Sequence, residues 1–332
     1  GESCRYDLAM SFMALLFALM LEQVRPLSER NWVHDLMRHW SLWARSIFET
    51  GRANQSGLIW GLIMGLPVLA VLAVHWILLA WLGWPLAMAW SVAVLYVTLG
   101  FRQFSHHFTQ IRDALEAGEE AQARSLLASW LQVDASTLPR QELVRHVIEC
   151  SAISAHRHVF GVVVWFSVLA ALGLGPIGAV IYRLGMELPR WWAGVGQPQD
   201  TNSSPDGHLS EWALWAWKRI DWLPARMTAV TFAIVGNFEE AIDCWRNHAQ
   251  SFPDDNDGVV LAATSGAINV RLGGETLKPR FSTELDTPMA QPSTPGLEPH
   301  LGHLRSMVGL VWRSVVMWLV LLFLLTLARL LG

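Results

Sequence analysis

The residues with the clearest chemical potential lie in two polar stretches beside apolar segments. Residues 221–226 read D-W-L-P-A-R, and residues 255–274 read D-N-D-G-V-V-L-A-A-T-S-G-A-I-N-V-R-L-G-G. Each stretch places an arginine, Arg226 or Arg271, at the boundary of an apolar segment, where a charge is costly unless it is paired or reaches lipid headgroups. These arginines are suited to hold a phosphate or carboxylate ligand, or to pair within the chain. The acidic residues available for such pairing are Asp221, Glu239 and Asp257.

Metal and nucleotide motifs are weak or missing. Four histidine pairs occur, but none has the i, i+4 spacing of a helical metal clamp, and Glu149, Cys150 and His156 offer the single mixed set. The glycines at 173–176 lack the Lys-Ser/Thr of a P-loop, and no G-x-S-x-G elbow is present. Residues 254–257 form a dense acidic turn, which could bind a divalent cation with phosphate or remain a solvated loop. We predict no metal site.

Composition indicates a membrane protein. The 332 residues are 52% hydrophobic and 16% charged, they include 19 Trp, and the mean hydropathy is +0.31. This charge content is low, and the tryptophan content high, for a soluble domain. A net charge of −4 without a basic tract argues against nucleic-acid binding. The three cysteines are far apart and form no C-x-x-C pair, which argues against a disulfide framework.

Apolar segments predict an all-α, polytopic protein with four to six membrane helices, because a span needs about 20 apolar residues. Residues 8–21 and 223–235 are short for a span, and whether they cross the membrane is open. The glycines and proline at 173–176 predict a kinked or re-entrant segment. The four strong apolar segments are residues 57–82, 84–101, 159–182 and 307–331.

Arginine-rich segments favour a cytoplasmic side for two parts of the chain. Residues 22–57 and 102–158 carry many arginines, which the positive-inside rule assigns to the cytoplasm. In the first of these, tryptophan and leucine recur at helical spacing from Trp32 to Trp43, which is typical of an amphipathic helix on the membrane surface. The side of residues 183–305 is not determined by the arginine balance.

Several motifs resemble one family of membrane proteins. Residues 114–127 resemble the family motif L-x-x-G-D-x-x-x-A-R, Glu149 matches the Glu of A-V-E-S, and residues 224–226 match P-A-R-L-T-A. Asn256 and residues 266–274 match a P-N-A-G … A-G-A-L-G-V-R-L-G-G tail. Over about residues 13–274, the chain thus resembles the CobD/CbiB and AmpE superfamily of bacterial inner-membrane proteins.

The resemblance implies two alternative kinds of function. CbiB-type members are adenosylcobinamide-phosphate synthases, which join an aminopropanol-derived amine to a corrin acid in an ATP-dependent step. AmpE members are regulatory proteins linked to β-lactamase control. The residues expected to form a polar cleft are Glu149, Asp221, Arg226, Asn256 and Arg271.

Departures from the enzyme motifs favour the regulatory kind. Where the enzymes carry E-N-T-x-D-G, residues 154–161 read S-A-H-R-H-V-F-G, and where they carry N-T-L-D-S-M, residues 186–191 read M-E-L-P-R-W. An ATP-dependent ligase needs carboxylates for Mg²⁺. We therefore expect an AmpE-like or divergent member with a non-catalytic regulatory or assembly role. There are two alternatives. One is the synthase, which is an amide-forming ligase, and the other is an accessory subunit of a larger membrane complex.

Partners, cofactors and domains follow from this interpretation. The expected partners are the lipid bilayer and a membrane protein or second copy of the chain, without nucleic acid, in a multi-pass inner-membrane location. No cofactor is predicted; ATP, Mg²⁺ and a corrinoid apply only to the synthase. The predicted division is residues 1–9 as a cloning remnant or upstream extension, 10–101 as N-terminal membrane helices with a cytoplasmic loop, 102–158 as a cytoplasmic helical segment, 159–278 as the family core, 279–305 as a linker, and 306–332 as the C-terminal membrane helix.

Overall fold

The computed structural model confirms the all-α prediction. Its described residues form α-helices joined by short turns, with only isolated β pairing such as that between Val270 and Leu297. Helices suit a bilayer because each one satisfies its backbone hydrogen bonds internally. The structure describes residues 2–25, 32–48, 55–193, 207–275, 277 and 292–331.

The described chain contains helices of very different lengths. A π-helical turn, His156–Phe160, joins α7 to α8, and a 3₁₀ turn, Ala249–Ser251, follows α11. The α-helices are α1 (Glu2–Val24), α2 (Trp32–Phe48), α3 (Ser56–Trp81), α4 (Trp84–Thr98), α5 (Phe101–Glu116), α6 (Glu120–Leu131), α7 (Arg140–Ala155), α8 (Gly161–Ala171), α9 (Ile177–Ala193), α10 (Gly207–Val235), α11 (Phe238–His248), α12 (Asp255–Ile268) and α13 (Leu301–Leu331).

Within the part of the chain that the structure describes, three helical stretches are long and apolar enough to cross a membrane: Ser56–Trp81, Arg140–Ala171 and Leu301–Ala328. Two shorter apolar helices, Ser11–Val24 and Trp84–Thr98, accompany them. The second stretch is continuous because α7, the π turn and α8 follow one another without a break. The chain is therefore a helical membrane protein, and the division into domains made from the sequence stays a prediction.

The helices group into two compact units. The first unit contains Gly1–Gly100, Gly161–Pro224 and Leu319–Gly332, and the second contains Phe101–Phe160 and Ala225–Trp318. Each unit therefore combines segments that are far apart in the sequence.

In the first unit, α8 and α9 pack at unusually short range. A Cβ added to Gly178 would lie 2.0 Å from the backbone oxygen of Trp165, and one added to Gly161 would lie 2.0 Å from Cζ of Tyr182. Glycine allows this approach because it has no side chain, as is common where membrane helices meet. The break predicted at residues 173–176 separates the two helices, with Gly175 at a φ of +61°.

Helix α2 has the amphipathic character expected from its sequence, and it is fixed within the first unit by two hydrogen bonds. Trp40 donates its indole N–H to the backbone oxygen of Ile63 in α3, at 3.2 Å. The buried Arg45 donates to the backbone oxygen of Trp192 near the end of α9, also at 3.2 Å. Helix α2 is thus a packed element of the unit and not a free loop.

In the second unit, the predicted acidic turn at residues 254–257 is instead the N-terminus of α12. The Asp254 carboxylate accepts hydrogen bonds from the backbone N–H groups of Asn256 and Asp257, at 3.0 and 3.2 Å. Aspartate is favoured at an N-cap because it satisfies backbone donors that have no partner inside the helix, and acidic residues in the first turn complement the helix dipole. The prediction of a turn was wrong, because these residues cap and begin a helix.

The close packing of α8 on α9 predicts how two glycine substitutions differ. Gly178→Ala should destabilise the protein by about 1–3 kcal/mol, because the new methyl group meets backbone that cannot rotate away. Gly61→Ala is the matched control, since a Cβ there has no neighbour within 4 Å and alanine favours a helix over glycine. Thermal unfolding in detergent measures both; equal destabilisation would contradict the packing described here.

Candidate functional site

A cavity of 460 Å³ lies in the second unit, between α7, the N-terminus of α12 and the chain that follows α12. Ionisable side chains and apolar walls meet in it, as is typical of ligand sites. The polar residues that line it are Arg145, His146, Glu149, Asp254, Asp257 and Glu275. Its apolar walls include Leu131, Phe252, Leu261 and Leu277.

A larger groove of 660 Å³ runs along α6, but it is a weaker candidate. Its lining is mainly alanine and serine, and its arginine, Arg124, already donates to Glu120 and to the backbone oxygen of Leu138. The cavity beside α7 is the better candidate because its ionisable groups converge on one another.

Arg145 is the centre of that convergence. It is 3% exposed, and its guanidinium donates to the carboxylates of Glu142 at 2.9 Å and Glu149 at 3.0 Å. A third bond, of 2.8 Å, reaches the backbone oxygen of Glu275. The three side chains lie on one face of α7 because they are three and four residues apart. A buried guanidinium needs such partners, since an unpaired charge away from water is strongly destabilising.

Glu149 is held equally firmly. Its Oε1 accepts the bond from Arg145 and another, of 2.8 Å, from the backbone N–H of Gly273. Its Oε2 lies 3.3 Å from Nδ1 of His146. Gly273 presents its N–H from a φ of +82°, a conformation that glycine adopts without strain. Glu149 therefore ties α7 to the chain that follows α12, and both of its oxygens have protein partners.

The π turn places a second charged pair beside this cavity. One terminal nitrogen of Arg157 contacts both oxygens of Asp257, at 2.8 and 2.6 Å. The fully buried His156 forms a 2.9 Å hydrogen bond through Nδ1 with the hydroxyl of Thr228. π turns within α-helices are frequent at functional sites, and this one carries both His156 and Arg157.

The five residues predicted for the polar cleft occupy different surroundings. Arg226 donates to Asn256 at 3.2 Å, so these two are brought together. Glu149 lines the cavity, whereas Arg271 pairs with Glu298 on an exposed surface. Asp221 belongs to the first unit, where it is 1% exposed and accepts a 2.7 Å bond from the hydroxyl of Tyr182.

The sequence interpretation missed Arg145, His146 and the role of Arg157. The spacing of Glu142, Arg145 and Glu149 is a signal that could have revealed the first cluster, because residues three and four apart are neighbours on a helix. The pairing of Arg157 with Asp257 has no local signal, since 100 residues separate the two.

The carboxylates that line this cavity already have partners, apart from that of Glu275. Among the residues described, no group of three His, Cys, Asp or Glu side chains could hold a metal ion. Of the lining carboxylates, Glu149, Asp254 and Asp257 accept bonds from the protein, so Mg²⁺ would have to displace those bonds, whereas Glu275 is exposed.

The contrast between buried and exposed ion pairs gives a second prediction. Arg145→Gln should lower the free energy of unfolding by about 3–5 kcal/mol, because it leaves Glu149 without its charged partner. Arg271→Gln removes the exposed pair with Glu298 and should change stability by about 1 kcal/mol at most. Chemical or thermal unfolding of both variants in detergent measures the difference. A loss at Arg145 no larger than that at Arg271 would refute the role given to this guanidinium.

Comparison with known proteins identifies the family. The family model described as CobD/Cbib protein matches residues 13–185 and 218–328. A cobalamin biosynthesis protein CobD of Stutzerimonas stutzeri is 31% identical over 264 residues, which cover 77% of this chain and 78% of the relative.

Further relatives with the same name match this chain over shorter lengths. The protein of Chromobacterium violaceum is 33% identical over 55% of each chain, and that of Mycobacterium tuberculosis strain H37Rv is 30% identical over 61% of each. No solved structure gives a significant match. Since the family model covers most of the chain, and with it α7, the π turn and α12, the chain belongs to the CobD/CbiB family.

Proposed function

We propose that this chain is a multi-pass inner-membrane protein of its family that acts without catalysis, in a regulatory or assembly role. The observation that carries the proposal is the internal pairing of two carboxylates that line the cavity, Glu149 and Asp257. Arg145 with Glu149, and Arg157 with Asp257, satisfy each other within the protein. A catalytic site for phosphoryl transfer instead keeps carboxylates available for Mg²⁺ and cations available for phosphate.

The chemistry of the π turn supports this proposal. Residues 154–161 occupy the place where the resembling enzymes carry E-N-T-x-D-G, and they lack the Asn and Asp of that motif. His156 and Arg157 lie in this segment. A cation there repels Mg²⁺. It also engages Asp257, a carboxylate that lines the cavity. The positive charge of Arg157 therefore neutralises the negative charge of Asp257 within the protein.

An activity assay tests the proposal directly. The purified chain, in lipid nanodiscs, is mixed with ATP, Mg²⁺, a corrin acid and aminopropanol or its phosphate, and amide product and ADP are measured. We expect neither to form above background, because the cavity carboxylates Glu149 and Asp257 are engaged by arginines. The Stutzerimonas stutzeri relative, prepared identically, is the matched comparison. Corrin- and amine-dependent ADP release by this chain would overturn the proposal.

The second candidate is an adenosylcobinamide-phosphate synthase. The observation favouring it is the name of the relatives, cobalamin biosynthesis protein CobD, at 31% and 33% identity. Glu149, Arg226 and Asn256 would then contact the substrates, after rearranging their present bonds.

Genetic complementation separates the two candidates. The gene is expressed in a bacterial strain that lacks its synthase, and growth dependent on newly made cobalamin is scored. The regulatory proposal predicts no growth, despite membrane-inserted protein detected by immunoblot. If growth is restored, Glu149→Gln should abolish it at unchanged protein level, whereas the exposed-pair variant Arg271→Gln should retain it. That pattern would establish the synthase.

A further inference from the structure

Two histidines cap the N-terminus of α13 in the second unit. His300 lies directly before the helix, and its Nδ1 accepts a hydrogen bond of 3.0 Å from the backbone N–H of Gly302. His303 is the third residue of the helix, and its Nδ1 accepts a bond of 3.2 Å from the backbone N–H of His300. Such a reciprocal pair of side-chain acceptors is a capping box, which satisfies backbone donors that have no partner inside the helix.

Histidine differs from the usual capping-box residues in its response to protons. Ser or Thr usually begins the box and Glu or Gln usually closes it, and the oxygens of these side chains remain acceptors near neutral pH. An imidazole ordinarily titrates with a pKa of about 6.5. The protonated ring carries a hydrogen on both nitrogens and accepts no hydrogen bond. Protonation of either ring therefore removes one of the two capping bonds.

The geometry of the pair adds two penalties to the loss of these bonds. The centroids of the two rings are 3.9 Å apart, so that two positively charged rings would repel each other. Both rings also lie at the N-terminus of a helix, where the helix dipole disfavours a positive charge. The closed capping box is therefore compatible only with neutral histidines.

The charged groups around the box are paired with one another and not with the histidines. Glu298 pairs with Arg271 on the chain that follows α12, and Arg305 in α13 pairs with Glu116 at the end of α5. Among the residues that the structure describes, neither imidazole forms an ion pair with a carboxylate. A protonated ring would thus have no carboxylate in place to compensate its charge.

The first turn of α13 is open at its surface. His300, Gly302 and Ser306 are exposed, and the side chain of Arg305 is 75% exposed. His303 is buried, but its ring lies directly against that of the exposed His300. Protons from solution can therefore reach the pair.

We propose that His300 and His303 form a proton-sensitive cap, which closes the first turn of α13 while both rings are neutral and opens it when they are protonated. The same turn carries Arg305, whose guanidinium donates to Glu116 of α5 at 3.1 and 3.2 Å. Opening the turn therefore also weakens the attachment of α13 to α5. This device is independent of whether the chain is an enzyme.

Hydrogen–deuterium exchange tests the cap in the full chain, reconstituted into lipid nanodiscs. The protection of the backbone amides of residues 300–306 is measured at about pH 8 and about pH 5.5, on either side of the ordinary histidine pKa, and corrected for the intrinsic exchange rate. The double variant His300→Ser/His303→Glu is the matched control, because Ser and Glu form the usual capping box and Glu stays ionised over this range. His106→Gln, at an exposed position of α5, controls for the loss of a histidine elsewhere.

We expect the protection of this turn to fall about five- to tenfold on acidification of the unaltered chain and of His106→Gln, as the loss of a helix cap implies. It should stay constant in the double variant. Equal protection of the unaltered chain at both pH values would overturn the proposal, and this comparison requires no variant to fold. An equal acid-induced loss in the double variant would also overturn it, because another group would then be the cause. Amide exchange does not report on ligase activity, so the proposed function is tested separately.

Discussion

A charge removed from water must find a partner, and this constraint governs the polar interior of the protein. Three arginine side chains are removed from bulk solvent, and each donates a hydrogen bond to a carboxylate or a backbone oxygen. They are Arg145, Arg157 and Arg45. Their bonds fix neighbouring elements: α7 to the chain after α12, the π turn to α12, and α2 to α9. Between membrane helices, van der Waals packing supplies attraction, because lipid tails are as apolar as the side chains, but it does not select polar partners. The directional bonds of the guanidinium groups provide that selection.

The second constraint on the structure is steric. Glycine meets it because it has no side chain. Gly178 lets the backbones of α8 and α9 approach, and Gly273 turns its N–H toward Glu149. The second case links the two constraints, because the carboxylate is satisfied only if the chain can adopt a positive φ beside it. The bonding of Glu149 consequently depends on the backbone conformation at Gly273 as much as on side-chain charge.

The sequence predicted those features that depend on local pattern. Membrane helices are recognisable from apolar length, and α2 from the spacing of Trp32, Leu36 and Trp43, because both are properties of neighbouring residues. The break between α8 and α9 followed from glycine and proline. The acidic residues before α12 were misread, because an N-cap differs from a turn only through the helix that follows it. The bonds from Asp221 to Tyr182 and from Arg157 to Asp257 join distant segments, so no local pattern could reveal them.

The pairing of Arg157 with Asp257 also constrains how this sequence can change over generations. An acidic residue at position 157 would face the Asp257 carboxylate across a distance now bridged by hydrogen bonds of 2.6 and 2.8 Å. Two like charges so close disfavour ionisation of one of them. A neutral residue would leave the carboxylate without its cation. Each single step therefore passes through a less stable intermediate, and only coordinated replacement of both residues avoids it. The ion pair therefore couples the two positions, so that the effect of a substitution at one depends on the residue at the other.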